Sequence, residues 1–143
     1  MRAVLLALAL AGCGSDDASP TNRPARAALP KLEKVLMAVE PCRSKTKKLL
    51  VAIQLNEIGG RGAIGAAKDA GEDCLQARMN VLKFEMPDPA EHLCIGIASA
   101  NQAVLTAVRR SFEEPSLDHY RQLSRFVNQL PEAEKECGMA LAT

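Results

Sequence analysis

The chain has 143 residues, 18 Lys and Arg against 17 Asp and Glu, and 48% hydrophobic residues with three Phe, one Tyr and no Trp. That length holds one modest core, and a near-neutral balance gives no field to draw the protein to nucleic acid or to an acidic surface. Few aromatics beside abundant alanine and leucine favour helices over sheets.

The first 12 residues have one positive charge, Arg2, followed by an apolar run over residues 3–11. The run is too short to span a bilayer, which takes about 20 apolar residues, and has the charged start and apolar middle of a secretory signal. The tetrapeptide Leu10-Ala11-Gly12-Cys13 that follows resembles the lipobox of bacterial lipoproteins. The resemblance implies that the peptide before Cys13 is removed, that the Cys13 thiol carries a diacylglyceryl group and that its new amino group takes a further acyl chain. Stable anchoring takes at least two chains, so this set suffices. In that family an Asp directly after the cysteine favours inner-membrane retention. Here that residue is Gly14, which implies the outer membrane with the folded part facing the periplasm. The charged region, Met1-Arg2, is shorter than the family usually shows and points to a start codon upstream. Residues 14–28 (GSDDASPTNRPARAA) are polar, contain proline and lack apolar periodicity. They read as a flexible spacer, leaving residues 29–143 as one domain.

Leu32, Val35, Leu36, Val39, Cys42, Thr46, Leu49, Leu50 and Ile53 follow three- and four-residue steps and predict a first amphipathic helix. Pro41 lies inside it and is expected to kink or break it; Gly59, Gly60 and Gly62 are expected to end it. A second helix is predicted from Ile64 to about Glu85, with Ala67, Gly71, Cys74, Leu75, Arg78, Val81 and Leu82 along one side. Its first half is thin, with Gly65, Ala66, Ala67, Ala70 and Gly71 suited to a close helix neighbour, although glycine weakens a helix. Asp88-Pro89-Ala90-Glu91 predicts a third start with Asp88 as the cap. Cys94, Ile97, Ala98, Asn101, Leu105, Val108 and Phe112 form its stripe, and it should stop by Glu114, before Pro115. Ser116 is expected to cap a fourth helix carrying Leu117, Tyr120, Leu123, Phe126, Val127 and Leu130, which Pro131 kinks or restarts before Cys137 and Leu141. Short connections make the expected fold an all-α, up-down-up-down four-helix bundle with proline-kinked helices.

Five cysteines are an odd set, and assigning Cys13 to lipid leaves Cys42, Cys74, Cys94 and Cys137 for an oxidising compartment. At 1.5 Å rise per residue, Cys42 and Cys74 lie at similar heights, roughly 17–19 Å above the lower end of the bundle, and Cys94 and Cys137 both at roughly 6–9 Å. Level cysteines on neighbouring helices can reach the separation a disulfide needs. The expected pairs are Cys42–Cys74 and Cys94–Cys137.

Chemistry-bearing patterns are sparse. There is no C-x₂-C or H-x₃-H spacing for zinc, and no C-x-x-C-H for covalent haem. Met37 and His119 could imitate axial haem ligands of a periplasmic bundle, but at opposite ends of their helices. His92 and His119 each sit in a predicted first turn, and Glu40, Glu57, Asp69, Asp73 and Glu85 are spaced as helix-surface acids. No G-x-S-x-G motif is present. The run Gly59 to Gly65 is glycine-rich but flanked by helix on both sides, unlike a phosphate-binding loop; it reads as a hinge with Arg61 at its tip. Asn101, Asn128 and Gln129 are polar residues on otherwise apolar helices.

These features predict a non-enzymatic, membrane-tethered protein-binding module of the inhibitor, immunity, exclusion or envelope-assembly type, with no metal or cofactor. Its expected partners are the membrane, through the lipid, and another envelope protein. The run Arg43, Lys45, Lys47, Lys48, together with Arg61, supplies candidate contacts for an anionic partner. The alternative is a small-ligand or haem carrier with a cavity in the bundle.

Overall fold

A computed structural model describes residues 29–142 as four α-helices: α1 (Leu32–Gln54), α2 (Gly60–Val81), α3 (Asp88–Glu113) and α4 (Leu117–Ala142). The short turns between them make consecutive helices antiparallel, as the periodicity predicts. Cys13, the lipobox and the spacer lie outside the described residues.

The helices form a flattened bundle. Each packs against its neighbour in sequence, most extensively α3 against α4. Helix α1 also meets α3 across the middle, whereas α2 and α4 do not touch and α1 meets α4 only over a short stretch. Helix α3 therefore contacts all three others and contributes most to the core, including Cys94, Ile97, Ala98, Val104, Leu105 and Val108.

Two disulfides clasp this arrangement. Cys42–Cys74 joins α1 to α2 and Cys94–Cys137 joins α3 to α4, each with Cα atoms 4.6 Å apart. This is the expected pairing, and it follows from level cysteines on adjacent helices. Cys137 is also the one buried residue of α4. Leu123, Phe126, Val127, Leu130, Ala133 and Leu141 of the same helix are only partly buried against the core.

Of the kink or break expected at each proline, no break occurs: α1 runs on through Pro41 and α4 through Pro131; both prolines face solvent, and the buried Val39 and Cys42 on either side of Pro41 keep α1 in place. Two local expectations are corrected. The glycines neither end α1 nor form a hinge. Gly60 and Gly62 lie in the first turn of α2, and the reversal falls on residues 55–59, where Asn56 takes a positive φ of 56°. Asparagine tolerates that region better than most side chains. Helix α3 begins at Asp88, with Pro87 rather than Asp88 in the capping position and no side-chain cap bond. The fourth start is as expected: the Ser116 hydroxyl accepts the His119 amide at 3.1 Å. His119 Nδ1 also bonds the Glu114 carbonyl at 2.6 Å, tying the first turn of α4 to the end of α3.

The thin face of α2 is half as important as its composition suggests. Ala63, Ala67, Ala70 and Ala77 are buried with Cys74 and Val81, so the helix does sit close to its neighbours. A Cβ added at Gly65 or Gly71, however, would meet nothing within 4 Å. Neither glycine is required for packing, and each weakens the helix. Gly65→Ala and Gly71→Ala are each expected to raise stability by up to about 1 kcal/mol, read as a rise in thermal midpoint; a fall in either variant would show a neighbour needing that space.

The buried polar side chains are bonded within their own helices. Thr46 Oγ1 donates to the Cys42 carbonyl, Asn101 Nδ2 to Ile97 and Ser111 Oγ to Ala107, each at 2.8 Å. Such back-bonding lets a polar residue occupy a helix interior without an orphaned donor.

Candidate cleft between the first and fourth helices

Where α1 and α4 come together, they do so near their lower ends. A Cβ on Gly138 would lie 3.0 Å from a Leu32 methyl, so a larger residue there would require the Leu32 side chain to shift by a few tenths of an ångström. Higher up, Arg43 crosses the seam: its Nε donates to Glu134 at 2.6 Å and its Nη1 to Glu40 at 2.8 Å. Beyond that pair the two helices leave an open cleft of about 260 Å³, lined by Glu40, Arg43, Ser44, Lys47, Leu50, Asn101, Leu130 and Glu134. Asn101, from α3, forms its floor.

The sequence explains the opening. On α1 the side toward α4 carries Arg43 and Lys47 between apolar ends at Leu32 and Leu50. Two long charged side chains stand where a sealed bundle would place leucines, so that seam gains little from closing.

The basic run is divided around the helix. Residues two apart on a helix point about 200° apart, so Lys45 turns away from Arg43 and toward α2. There its ammonium bridges Asp69, at 2.9 Å, and Asp73. These carboxylates, Asp73 first, hold the Lys45 pKa above its ordinary lysine range. A raised pKa contributes stability that is complete below the usual lysine value and fades only in strongly alkaline solution. Arg43 is committed to Glu40 and Glu134. Lys47 lies on the cleft, and Lys48 on the outer side of α1 beside Val51 and Glu57. Arg61 is exposed in the first turn of α2 and does not border the cleft. Two of the five candidate contacts, Arg43 and Lys47, thus share one site.

The other sequence candidates stay apart. Met37 is 74% exposed near the lower end of α1, while His119 is in the upper first turn of α4, roughly 25 Å away along the bundle axis. His92, Asn128 and Gln129 face solvent. Among the described residues no group of three or more His, Cys, Asp or Glu side chains could hold a metal ion, and no helix is long and apolar enough to cross a membrane. Glu134, Leu50, Leu130 and Ser44 are cleft residues that periodicity alone assigns to ordinary helix positions. The signal for them was the polar seam of α1, which marks the side of the bundle that does not seal.

Compared with known proteins, the chain matches no family model, no curated protein and no solved structure.

Proposed function

We propose that this protein is a lipid-anchored module of the bacterial outer membrane that acts, without catalysis, by binding another envelope protein. The observation that carries the reading is the division of its cysteines. Four of the five pair with one another as Cys42–Cys74 and Cys94–Cys137, so Cys13 has none of them as partner and stands in a lipobox-like sequence behind an apolar leader. A left-over thiol is open to pairing with a second chain, and the lipobox-like sequence around Cys13 supports acylation instead. The pairing itself fits an oxidising compartment, and a spacer of polar residues would give the folded domain reach from the bilayer. The open cleft supplies a place for a partner.

The test is metabolic labelling with a palmitate analogue in a diderm bacterial host, followed by membrane fractionation. The wild-type chain is expected to take up label, begin at Cys13 and sediment with the outer membrane. Cys13→Ser is expected to lose all label and most membrane association. Label retained by the Cys13→Ser chain, or an unlabelled wild type cleaved elsewhere, overturns the anchor. Crosslinking in intact cells addresses the binding reading, which predicts one reproducible protein adduct. Recovery of the chain alone, in every growth condition tried, would remove it.

A further inference from the structure

We propose that the α1–α4 cleft is a peptide-binding site, and that it takes a partner segment in which an acidic side chain stands beside apolar ones. This rests on the binding-module reading and gives it a location and a ligand chemistry.

The first argument is Asn101. It is only 5% exposed, at the middle of the most buried helix, among Ile97, Ala98, Val104 and Leu105. An apolar residue would suit that position better for stability alone, because burying an amide costs free energy unless every polar atom is bonded. Its Nδ2 is satisfied by the Ile97 carbonyl. Its carbonyl oxygen has no protein partner among the described residues and keeps some access to solvent, and Asn101 lines the cleft. The floor of the cleft thus offers one unpaired acceptor to an incoming N–H.

The second argument is charge. Both carboxylates that line the cleft, Glu40 and Glu134, are held by Arg43 at its closed lower end. One turn higher, Lys47 lines the open part and has no ion-pair partner among the described residues. The open part therefore faces a ligand with a single cation and, beside it, the apolar walls of Leu50 and Leu130.

A peptide uses all three elements together. Its backbone N–H reaches Asn101, a carboxylate meets Lys47 and an apolar side chain lies against the two leucines. A fatty carboxylate would use Lys47 and the leucines but leave the Asn101 acceptor to water, and a small inorganic anion would use Lys47 alone. The cleft has room for a few side chains, which suits a short segment rather than a whole folded surface.

The experiment uses a random dodecapeptide library displayed on phage and selected against the full chain, disulfides intact, in detergent. Enrichment of peptides with Asp or Glu next to Leu, Ile, Val or Phe is expected. Synthetic versions of the enriched peptides should bind at least about tenfold more weakly to Lys47→Glu and to Asn101→Leu, while Arg61→Glu, outside the cleft, leaves binding unchanged. Lys47 is exposed, so its variant is expected to keep the wild-type melting temperature; that measurement separates lost binding from lost fold. An enriched set without acidic residues, no enrichment over a Leu130→Arg chain, or affinities that both cleft variants leave intact would each overturn the proposal. So would dodecanoate competing for Lys47 when no peptide does, since the ligand would then be a lipid. The crosslinking adduct from intact cells distinguishes the two levels: an adduct that survives Lys47→Glu and Leu130→Arg removes the cleft but keeps the binding module, and the absence of any adduct removes the module.

Discussion

With Cys42, Cys74, Cys94 and Cys137 all replaced by alanine, the chain is expected to be unfolded at about 37 °C. The bridges close loops with sequence separations of 32 and 43 residues. Restricting the unfolded chain over such loops stabilises the fold by about 3.7 and about 4.0 kcal/mol. Because the loops follow one another without overlap, the two effects add. Their sum, about 8 kcal/mol, is as large as the whole stability of many single domains, about 5–15 kcal/mol. The core has little to offset it, since four of the six buried residues of α2 are alanine. Circular dichroism melts with and without reductant measure the effect, and a midpoint unchanged by full reduction would refute it. The single pairs are expected to differ in kind. Removing Cys94–Cys137 takes away the bond at the only buried residue of α4, so amide-exchange protection should fall first across residues 117–142. Removing Cys42–Cys74 separates two helices that also share Val35, Val39, Ala63, Ala67 and Ala70 in one core, and protection should fall more evenly.

The second large effect is expected at Ile97. It is fully buried on the helix that touches all three others, and it is among the largest such side chains in the core. Ile97→Ala should cost about 2–5 kcal/mol, in the upper part of that range, and Ile97→Val about 0.5–1.5 kcal/mol. Neighbours fixed by two disulfides cannot easily collapse into the space left behind, and it is the residual cavity that sets the cost. Met37→Ala, on the solvent face of α1, is the control and should shift the denaturation midpoint very little. A cost at Ile97→Ala no greater than at Met37→Ala would mean that α3 is not the centre of the core.

Much of the architecture was legible in the residues because it depends on period and level. Three- and four-residue steps mark all four helices, and counting residues from the turns places each cysteine opposite its partner. What was hidden depends on which of two weak tendencies wins. Gly60 and Gly62 look like a stop, yet the first turn of a helix has free amides in any case, and burial of Ala63 and Ala67 draws the helix start back over them. The turn then falls to Asn56, an inconspicuous residue in the sequence. The candidate site was legible only in part. Asn101 stands out as a polar residue in an apolar stripe, and the basic run stands out as a run. That Arg43 and Lys45 turn to opposite neighbours follows from helical geometry, but their partners on other helices, Glu134 and Asp69, lie 91 and 24 residues away. No local pattern announces Glu134, because its role arises only when α4 is brought to the lower end of α1.

The order of the bridges along the chain bears on how the protein is made. Each disulfide closes one helical hairpin, and no bond crosses from the first hairpin to the second. For a polypeptide that enters an oxidising space amino end first, Cys42 meets Cys74 before Cys94 has arrived, and Cys94 then finds Cys137 as the one other thiol still unpaired among the described residues. Neither rival connectivity has an opportunity to form unless the first bond is delayed. A protein exported in that direction would reach its native cross-links by the order of emergence alone, with little call on an isomerase, and swapping the two hairpins in a circularly permuted gene would leave that economy intact.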